Sequence, residues 1–121
     1  MNAQVPIDIR YHRQSRTLEL CYADGISHLL GSEFLRVHSP SAEVQGHGEG
    51  QQVLQTGKRN VGITMIEPAG NYAIRLAFDD GHDSGIYTWS YLHDIAMRQE
   101  TLWQEYLQRL EAAGASRGSA H

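Results

Sequence analysis

The segment SYLHDIAMRQETLWQEYLQRLEAAG, from Ser90 to Gly114, decides the fold class of this chain. Its apolar residues recur at spacings of three and four, which predicts an amphipathic helix with one buried face. These residues are Leu92, Ile95, Ala96, Leu102, Trp103, Tyr106, Leu107 and Leu110. The polar Gln99 interrupts them. Ser90 is the expected N-cap, and Gly114 stands where a helix commonly ends. We expect Trp103 and Tyr106 to belong to the core rather than to a cofactor site.

The residues ahead of this helix predict β-strands. IDIRYH (Ile7–His12) and TLELCY (Thr17–Tyr22) alternate apolar and polar residues, as half-buried antiparallel strands do. VGITMIEP and NYAIRLAF predict a second hairpin around Ala69-Gly70, and GSEFLRVHS between the pairs predicts a short helix capped by Ser32. The order predicts an α+β fold: small antiparallel sheets, a short central helix and one long C-terminal helix packed on a sheet face.

Length and charge limit the classes of function. A chain of 121 residues fits one small domain, which we expect over residues 1–113, followed by a flexible polar tail over 114–121. With 10 Lys plus Arg against 14 Asp plus Glu, the net charge of -4 argues against nucleic acid or an anionic membrane as partner.

No apolar run has the length of a membrane span and no leader is recognisable, so we expect a cytoplasmic location. The single Cys21 is expected at a strand position.

The longest irregular stretch is SPSAEVQGHGEGQQVLQTGKRN, from Ser39 to Asn60. A loop of this size in a compact domain is usually functional or mobile, so it is the expected binding surface. Its Gly57-Lys58 pair does not complete a phosphate loop, because Gln52 stands where the earlier glycine is required.

Two further motifs are incomplete as active sites. His47 and Glu49 form an H-x-E pair, but no cysteine follows to complete a deaminase zinc site, and the chain is too short for the scaffold of an iron oxygenase. Ser84, His82 and Asp83 are neighbours in sequence, which does not favour the relay of a nucleophilic triad. We therefore do not expect an enzyme.

The run GNYAIRLAFDDGHDSGIYTWSYL, with EFLRVHSPSAEVQGHG and QTGKRNVGI upstream, closely resembles the gamma-butyrobetaine-hydroxylase-like N-terminal domain, a family long listed as a domain of unknown function. The resemblance extends over about Ile7 to Leu110. Its motifs are Leu35-Arg36, Gly57-Lys58-Arg59, Gly70-Asn71-Tyr72 and Asp80-Gly81-His82. Larger relatives carry this domain ahead of an iron- and 2-oxoglutarate-dependent hydroxylase domain, and others carry it joined to an iron–sulfur carrier ATPase of the Mrp type. The resemblance implies a standalone, bacterial-type accessory domain without the hydroxylase activity.

The resemblance also implies a zinc module, with three cysteines in a C-x-C-x-x-C run and one histidine. Those positions are Ser39, Ser41, Val44 and His82 in this chain, so only the histidine remains. We expect no bound cofactor, and we expect Ser39, Ser41 and His82 to make hydrogen bonds that hold the loop against the Asp79–Gly85 turn.

Two functions follow as hypotheses. The first is a non-enzymatic adaptor that binds an unknown protein partner, either an iron–sulfur carrier or a metalloenzyme. Its expected binding surface comprises Arg36, Ser39, Ser41, Lys58, Arg59, Asp80 and His82. The alternative is a metal-binding protein in which His82 acts with His38 and His47 on zinc or iron. A small-molecule site in the cleft beside the long helix is a third hypothesis, with no specific residue in its favour.

Overall fold

The computed structural model describes residues 4–46, 48 and 50–118. Its elements are β1 (Asp8–His12), β2 (Thr17–Cys21), β3 (Ser27–Gly31), α1 (Ser32–Val37), α2 (Ala42–Gln45), β4 (Ile63–Ala69), β5 (Ala73–Phe78), β6 (Gly85–Thr88), α3 (Trp89–Met97) and α4 (Gln99–Ala112). The predicted α+β class is confirmed, with a short central helix and a long C-terminal helix.

The first sheet is antiparallel, with strand order β1-β2-β3. Leu18 pairs with Leu30, and both are completely buried together with Leu20. The alternation in TLELCY therefore marks a half-buried strand, as predicted, because residues two apart on a strand face the same side.

The second sheet is also antiparallel, with strand order β4-β5-β6. Ile74, Leu76 and Phe78 of β5 and Tyr87 of β6 are buried on its inner face. These side chains join those of the first sheet and of α3 in one hydrophobic core. The Oη of Tyr11 also links the sheets, because it accepts a hydrogen bond from the backbone N–H of Ile63 at 3.0 Å.

The predicted continuous C-terminal helix is in fact two helices. The backbone leaves helical geometry at Arg98 (φ -108°, ψ 19°), which ends α3 and precedes α4. The break falls next to Gln99, the residue that interrupts the apolar spacing. The N-cap is Thr88, not Ser90, since the Thr88 hydroxyl accepts from the backbone N–H of Tyr91 at 3.1 Å. Gly114 lies just beyond α4 with φ 65°, the left-handed conformation expected of a helix-terminating glycine.

Three other local features differ from the sequence-based expectations. Ser32 is not an N-cap, because Gly31 holds that position and the Ser32 hydroxyl donates to the backbone oxygen of Arg16 at 2.8 Å. The irregular loop contains the short helix α2, and strand β6, which no sequence pattern predicted, lies between the turn after Phe78 and α3.

The first part of the predicted flexible tail contacts the domain. Backbone N–H groups of Gly57 and Arg59 donate to the carbonyls of Ser116 and Arg117, both at 2.9 Å. The Arg117 guanidinium forms two hydrogen bonds with the Glu33 carboxylate, at 2.7 and 2.9 Å, and lies 5.1 Å from the centre of the Trp103 ring. Residues 115–118 therefore tie α1 and α4 to the loop before β4.

Cys21 lies on β2 and is partly buried, as expected, with its thiol free. Within the described ranges, no helix combines the length and the apolar character that crossing a membrane requires.

Candidate functional site

The turn between β5 and β6 places His82 inside the protein. The backbone N–H of Phe78 donates to the His82 carbonyl at 2.9 Å, and Gly81 adopts φ 91°, which favours glycine. The Asp80 carboxylate accepts from the His82 backbone N–H at 3.1 Å. These contacts leave His82 only 5% exposed.

Both ring nitrogens of His82 are hydrogen-bonded. Nδ1 lies 2.9 Å from a carboxylate oxygen of Glu43, and Nε2 lies 2.8 Å from the Ser39 hydroxyl. Because a carboxylate accepts, Nδ1 carries the proton, so the neutral ring accepts the Ser39 proton at Nε2. The Ser39 oxygen in turn accepts from the Ser41 backbone N–H at 3.3 Å.

A second side-chain hydrogen bond joins the same two segments. The hydroxyls of Ser41 and Ser84 lie 2.8 Å apart. We call the set formed by Ser39, Ser41, Glu43, His82 and Ser84 the clasp. The hydrogen bonds expected to hold the loop against the turn are thus present, and Glu43 adds one that the sequence did not predict.

Gly85 allows the clasp to close. A Cβ at this position would lie 2.6 Å from the Ser39 oxygen and 3.0 Å from the Tyr87 ring, both too close. The Tyr87 hydroxyl donates to the Leu35 carbonyl at 2.6 Å, and Tyr87 is completely buried. A side chain at position 85 would therefore disturb both the Ser39 hydroxyl of the clasp and the packing of the buried Tyr87 ring.

The environment of His82 favours its neutral form. Burial lowers the pKa of His82, and the positive charge of Arg36 acts in the same direction. The hydrogen bond to Glu43 and the negative charges of Glu43 and Asp80 oppose these effects without cancelling them. A neutral ring matches the hydrogen-bond pattern of the clasp.

An ion-pair network lies directly beside the clasp. One carboxylate oxygen of Asp80 accepts from Arg36 Nε at 2.8 Å and from Lys58 Nζ at 2.6 Å. Burial alone would raise the pKa of Asp80, but hydrogen bonds from Lys58, the His82 backbone and Arg36 outweigh it and lower the pKa to about 2. Asp80 therefore stays ionised and holds the buried Arg36.

The order Ser39–His82–Glu43 has the connectivity of a nucleophile, a base and an acid. However, Ser39 is 0% exposed, so its hydroxyl cannot reach a substrate in this conformation. The triad considered from the sequence, Ser84, His82 and Asp83, is not formed, because the His82 ring bonds Ser39 and Glu43 instead. The arrangement suits a structural role.

The expected binding surface divides into two parts. Four of its residues are buried: Arg36, Ser39, Ser41 and His82. Arg59 is exposed, and the side chains of Lys58 and Asp80 are each 20% exposed. The buried residues thus support the more exposed ones from within.

His38 lies in a different environment from His82. Its Nδ1 donates to the Phe34 carbonyl at 2.9 Å, and its ring packs 4.5 Å from the Phe34 ring between centroids. His47 and Glu49 lie outside the described residues. Among the residues that are described, no group of three or more His, Cys, Asp or Glu side chains is arranged to hold a metal ion. A site that combines His82, His38 and His47 stays a prediction.

The fold and the clasp define a small α+β domain whose central loop is held by hydrogen bonds to a β-turn. The family model for "Gamma-butyrobetaine hydroxylase-like, N-terminal" matches residues 9–93, so this chain belongs to that family.

Solved structures agree with this assignment. Two NMR solution structures resemble this chain. One shares 53% identity, with a TM-score of 0.86 over 99% of this chain and 94% of that chain. The other shares 50% identity, with a TM-score of 0.82 over 96% of this chain and 86% of that chain. A crystal structure of a DUF971 family protein of unknown function from Acidithiobacillus ferrooxidans ATCC 23270 shares 40% identity, with a TM-score of 0.63 over 75% of this chain and 91% of that chain. No curated protein matches the chain.

The residues at the positions where the resemblance implies zinc ligands do not fit a zinc ion. A structural zinc site requires four good nitrogen or sulfur donors. Ser39 and Ser41 offer hydroxyls that are already hydrogen-bonded, Val44 offers no donor atom, and both nitrogens of His82 are engaged. The clasp therefore joins the same two segments that the four zinc ligands implied by the resemblance would join.

Proposed function

We propose that this domain is a non-enzymatic accessory module of the cytoplasm that binds a partner protein involved in iron–sulfur or metallocofactor handling. The main support is that the reactive groups of the clasp bond one another within the domain. The link to metal cofactors is an analogy, since it rests on the relatives in which the domain is joined to a cluster-carrier ATPase.

The proposed contact surface is the charged rim around the clasp, which we define as Glu43, Lys58, Arg59, Asp80 and Asp83. Glu43 and Asp83 each leave 69% of the side chain exposed, so their carboxylates are available to a partner. Arg59 contributes an exposed positive charge. Mixed charges at the edge of an interface govern partner choice and the association rate, so reversing one of them slows association and thereby weakens binding.

The clasp supplies the rigidity that such a surface needs. The Glu43 carboxylate bonds a buried ring, and Asp80 is held by Arg36 and Lys58. Side chains that are already ordered lose less entropy on association. In this proposal the clasp is a support that presents the rim in one conformation.

The test is affinity capture from a cell extract with the purified chain, followed by calorimetry with each purified partner. The variant Arg59→Glu reverses a rim charge, and Arg13→Glu is the matched control on an exposed residue of the β1–β2 turn. We expect a partner that carries or transfers a metal cofactor, with about tenfold weaker binding to Arg59→Glu. Equal binding of the two variants, or partners unrelated to metal cofactors, would contradict the proposal.

Elemental analysis distinguishes the alternative metal-binding function. The adaptor proposal expects that a chelator changes neither partner binding nor the urea midpoint of unfolding. An ion that copurifies in stoichiometric amount and is lost in His82→Ala would support the alternative, since a metal bound to the folded state adds to stability.

A further inference from the structure

A cleft of about 280 Å³ opens between the two sheets, where the β1–β2 turn faces the start of β4. We call it the intersheet cleft. The residues of its lining that carry polar groups or shape its floor are Tyr11, Arg13, Arg16, Gly62 and Asp79. Drug-sized ligands occupy pockets of about 300–1,000 Å³, so the intersheet cleft suits a small metabolite. Two arginines and one aspartate give it charges of both signs.

Arg16 is fixed beside this cleft in an uncommon backbone conformation. Its φ of 54° lies in the left-handed region, which glycine adopts freely and a residue with a Cβ does not. The backbone N–H and the hydroxyl of Ser32 both donate to the Arg16 carbonyl, each at 2.8 Å. Because the Ser32 proton is used in this way, the Tyr11 hydroxyl, 3.2 Å away, donates to the Ser32 oxygen. The chain therefore holds an arginine where the turn favours glycine, which indicates a use for its side chain.

The two arginines of the cleft have no counter-charge within the domain. Neither guanidinium group, of Arg13 or of Arg16, forms an ion pair or a hydrogen bond with any residue in the described ranges. Both residues are exposed, so a ligand can reach them without a movement of the protein. Guanidinium groups bind carboxylates through paired hydrogen bonds. This side of the cleft is therefore suited to carboxylate groups.

Asp79 places a negative charge on the β4–β5 side of the cleft. Its Oδ2 accepts from the Gly62 backbone N–H at 3.1 Å, and its own backbone N–H donates to the Gly62 carbonyl at 2.9 Å. Oδ1 makes no hydrogen bond within the described part of the chain, and the residue is exposed.

Asp79 and Arg16 border the same glycine. The Cβ that Gly62 lacks would lie 3.2 Å from Asp79 Oδ2 and 3.8 Å from Arg16 Cδ. No ion pair joins these two side chains, although both are described by the structure. Charges of opposite sign are thus close together and both available to a ligand.

We infer that the intersheet cleft binds an acidic amino acid. Its two carboxylates pair with Arg13 and Arg16, and its ammonium group pairs with Asp79. The ligand has two negative groups and one positive group, the inverse of the three side chains. A simple dicarboxylate would leave Asp79 unpaired, and the Asp79 charge would repel phosphate. This inference goes beyond partner binding and does not depend on it.

The test is an NMR titration of the purified chain with L-glutamate and three comparison compounds. Glutarate lacks the ammonium group, 4-aminobutanoate lacks one carboxylate, and inorganic phosphate is a general probe of anion binding. We expect saturable shifts for the backbone amides of Arg16, Gly62 and Asp79 with L-glutamate. Each comparison compound should bind at least about tenfold more weakly, because one charged group of the cleft is then left unpaired.

Variants at exposed positions assign the binding to named side chains. Arg16→Gln should weaken the binding of L-glutamate and of glutarate about tenfold each. Asp79→Asn keeps an oxygen that accepts from Gly62, and it should weaken L-glutamate about tenfold without weakening glutarate. Arg109→Gln on α4 is the matched control, since Arg109 is exposed and has no ion pair within the described ranges. It should bind L-glutamate like the wild type.

Four results would overturn the inference. They are shifts that do not saturate, shifts that map outside the intersheet cleft, equal affinity for the four compounds, and wild-type affinity for L-glutamate in Arg16→Gln or Asp79→Asn.

Discussion

Ser39 and His82 lie 43 residues apart in the chain, yet 2.8 Å separates the Ser39 hydroxyl oxygen from His82 Nε2. This hydrogen bond links the end of the α1 segment to the β5–β6 turn. The resemblance described from the sequence implies a zinc-ligating cysteine and histidine at these two positions. The domain therefore keeps the two segments together with side chains of different chemistry.

Ser39→Ala should destabilise the fold by about 2 kcal/mol, because it leaves the buried His82 Nε2 without a donor. The free energy of unfolding from urea denaturation measures the effect. Ser27→Ala is the matched control, since Ser27 is exposed on β3 and its hydroxyl makes no hydrogen bond within the described part of the chain. That variant should stay within about 0.5 kcal/mol of the wild type. Equal stability of the two variants would show that the clasp contributes nothing.

Asp80→Asn should lower stability by about 1–2 kcal/mol, because it removes the negative charge that pairs the buried Arg36. The partial exposure of Asp80 and Lys58, each 20% at the side chain, limits the effect. Asp83→Asn in the same turn is the control, since its side chain is 69% exposed and its oxygen lies 3.8 Å from Arg75. A smaller loss in Asp80→Asn than in Asp83→Asn would contradict this account.

Acidification should destabilise the protein through the buried histidines His38 and His82. The pKa values of His38 and His82 are lowered in the folded state from the ordinary 6.5. The unfolded chain therefore binds more protons, so their contribution is complete above pH 6.5 and is lost as the pH falls through the folded pKa values. Thermal unfolding between pH 7.5 and 5 should show a falling midpoint.

The double variant His38→Gln/His82→Gln provides the comparison for this pH dependence. It should be less stable at neutral pH, but its midpoint should fall less between pH 7.5 and 5. A fall as steep as that of the wild type would assign the pH dependence to other groups.

Arg117→Gln should cost about 1–2 kcal/mol of unfolding free energy. It removes the paired hydrogen bonds to Glu33, whose side chain is 10% exposed, and the contact with the Trp103 ring. Urea denaturation followed by tryptophan fluorescence measures the loss. Arg13→Gln removes an exposed arginine elsewhere and should have almost no effect. If the two substitutions were equivalent, residues 115–118 would not stabilise the domain.

The strand and helix pattern was largely readable from sequence. TLELCY alternates and lies in a sheet with one buried face, and the apolar spacing after Ser90 marks the helical region. The break at Arg98 was not predicted, since one polar position does not by itself end a helix. Strand β6 was missed because GIYT is short and follows a turn rich in glycine and aspartate.

The candidate site was predictable only in part. The family positions place Ser39 and Ser41 near His82, and the structure adds Glu43 as the partner of Nδ1. A cleft beside the long helix was expected, but its lining was not predictable, because His38, Gln55 and Arg109 come from distant parts of the chain. Local patterns carry no signal for such contacts.

The pair between Glu33 and Arg117 spans 84 positions of the chain. A nascent chain leaves the ribosome from its N-terminus, so α1 emerges long before Arg117 does. During that interval Glu33 lacks its cation and the loop before β4 lacks the carbonyls of Ser116 and Arg117. Translation must therefore reach Arg117 before α1 can complete its packing. The final packing of α1 is thus delayed until almost the whole domain has been synthesised.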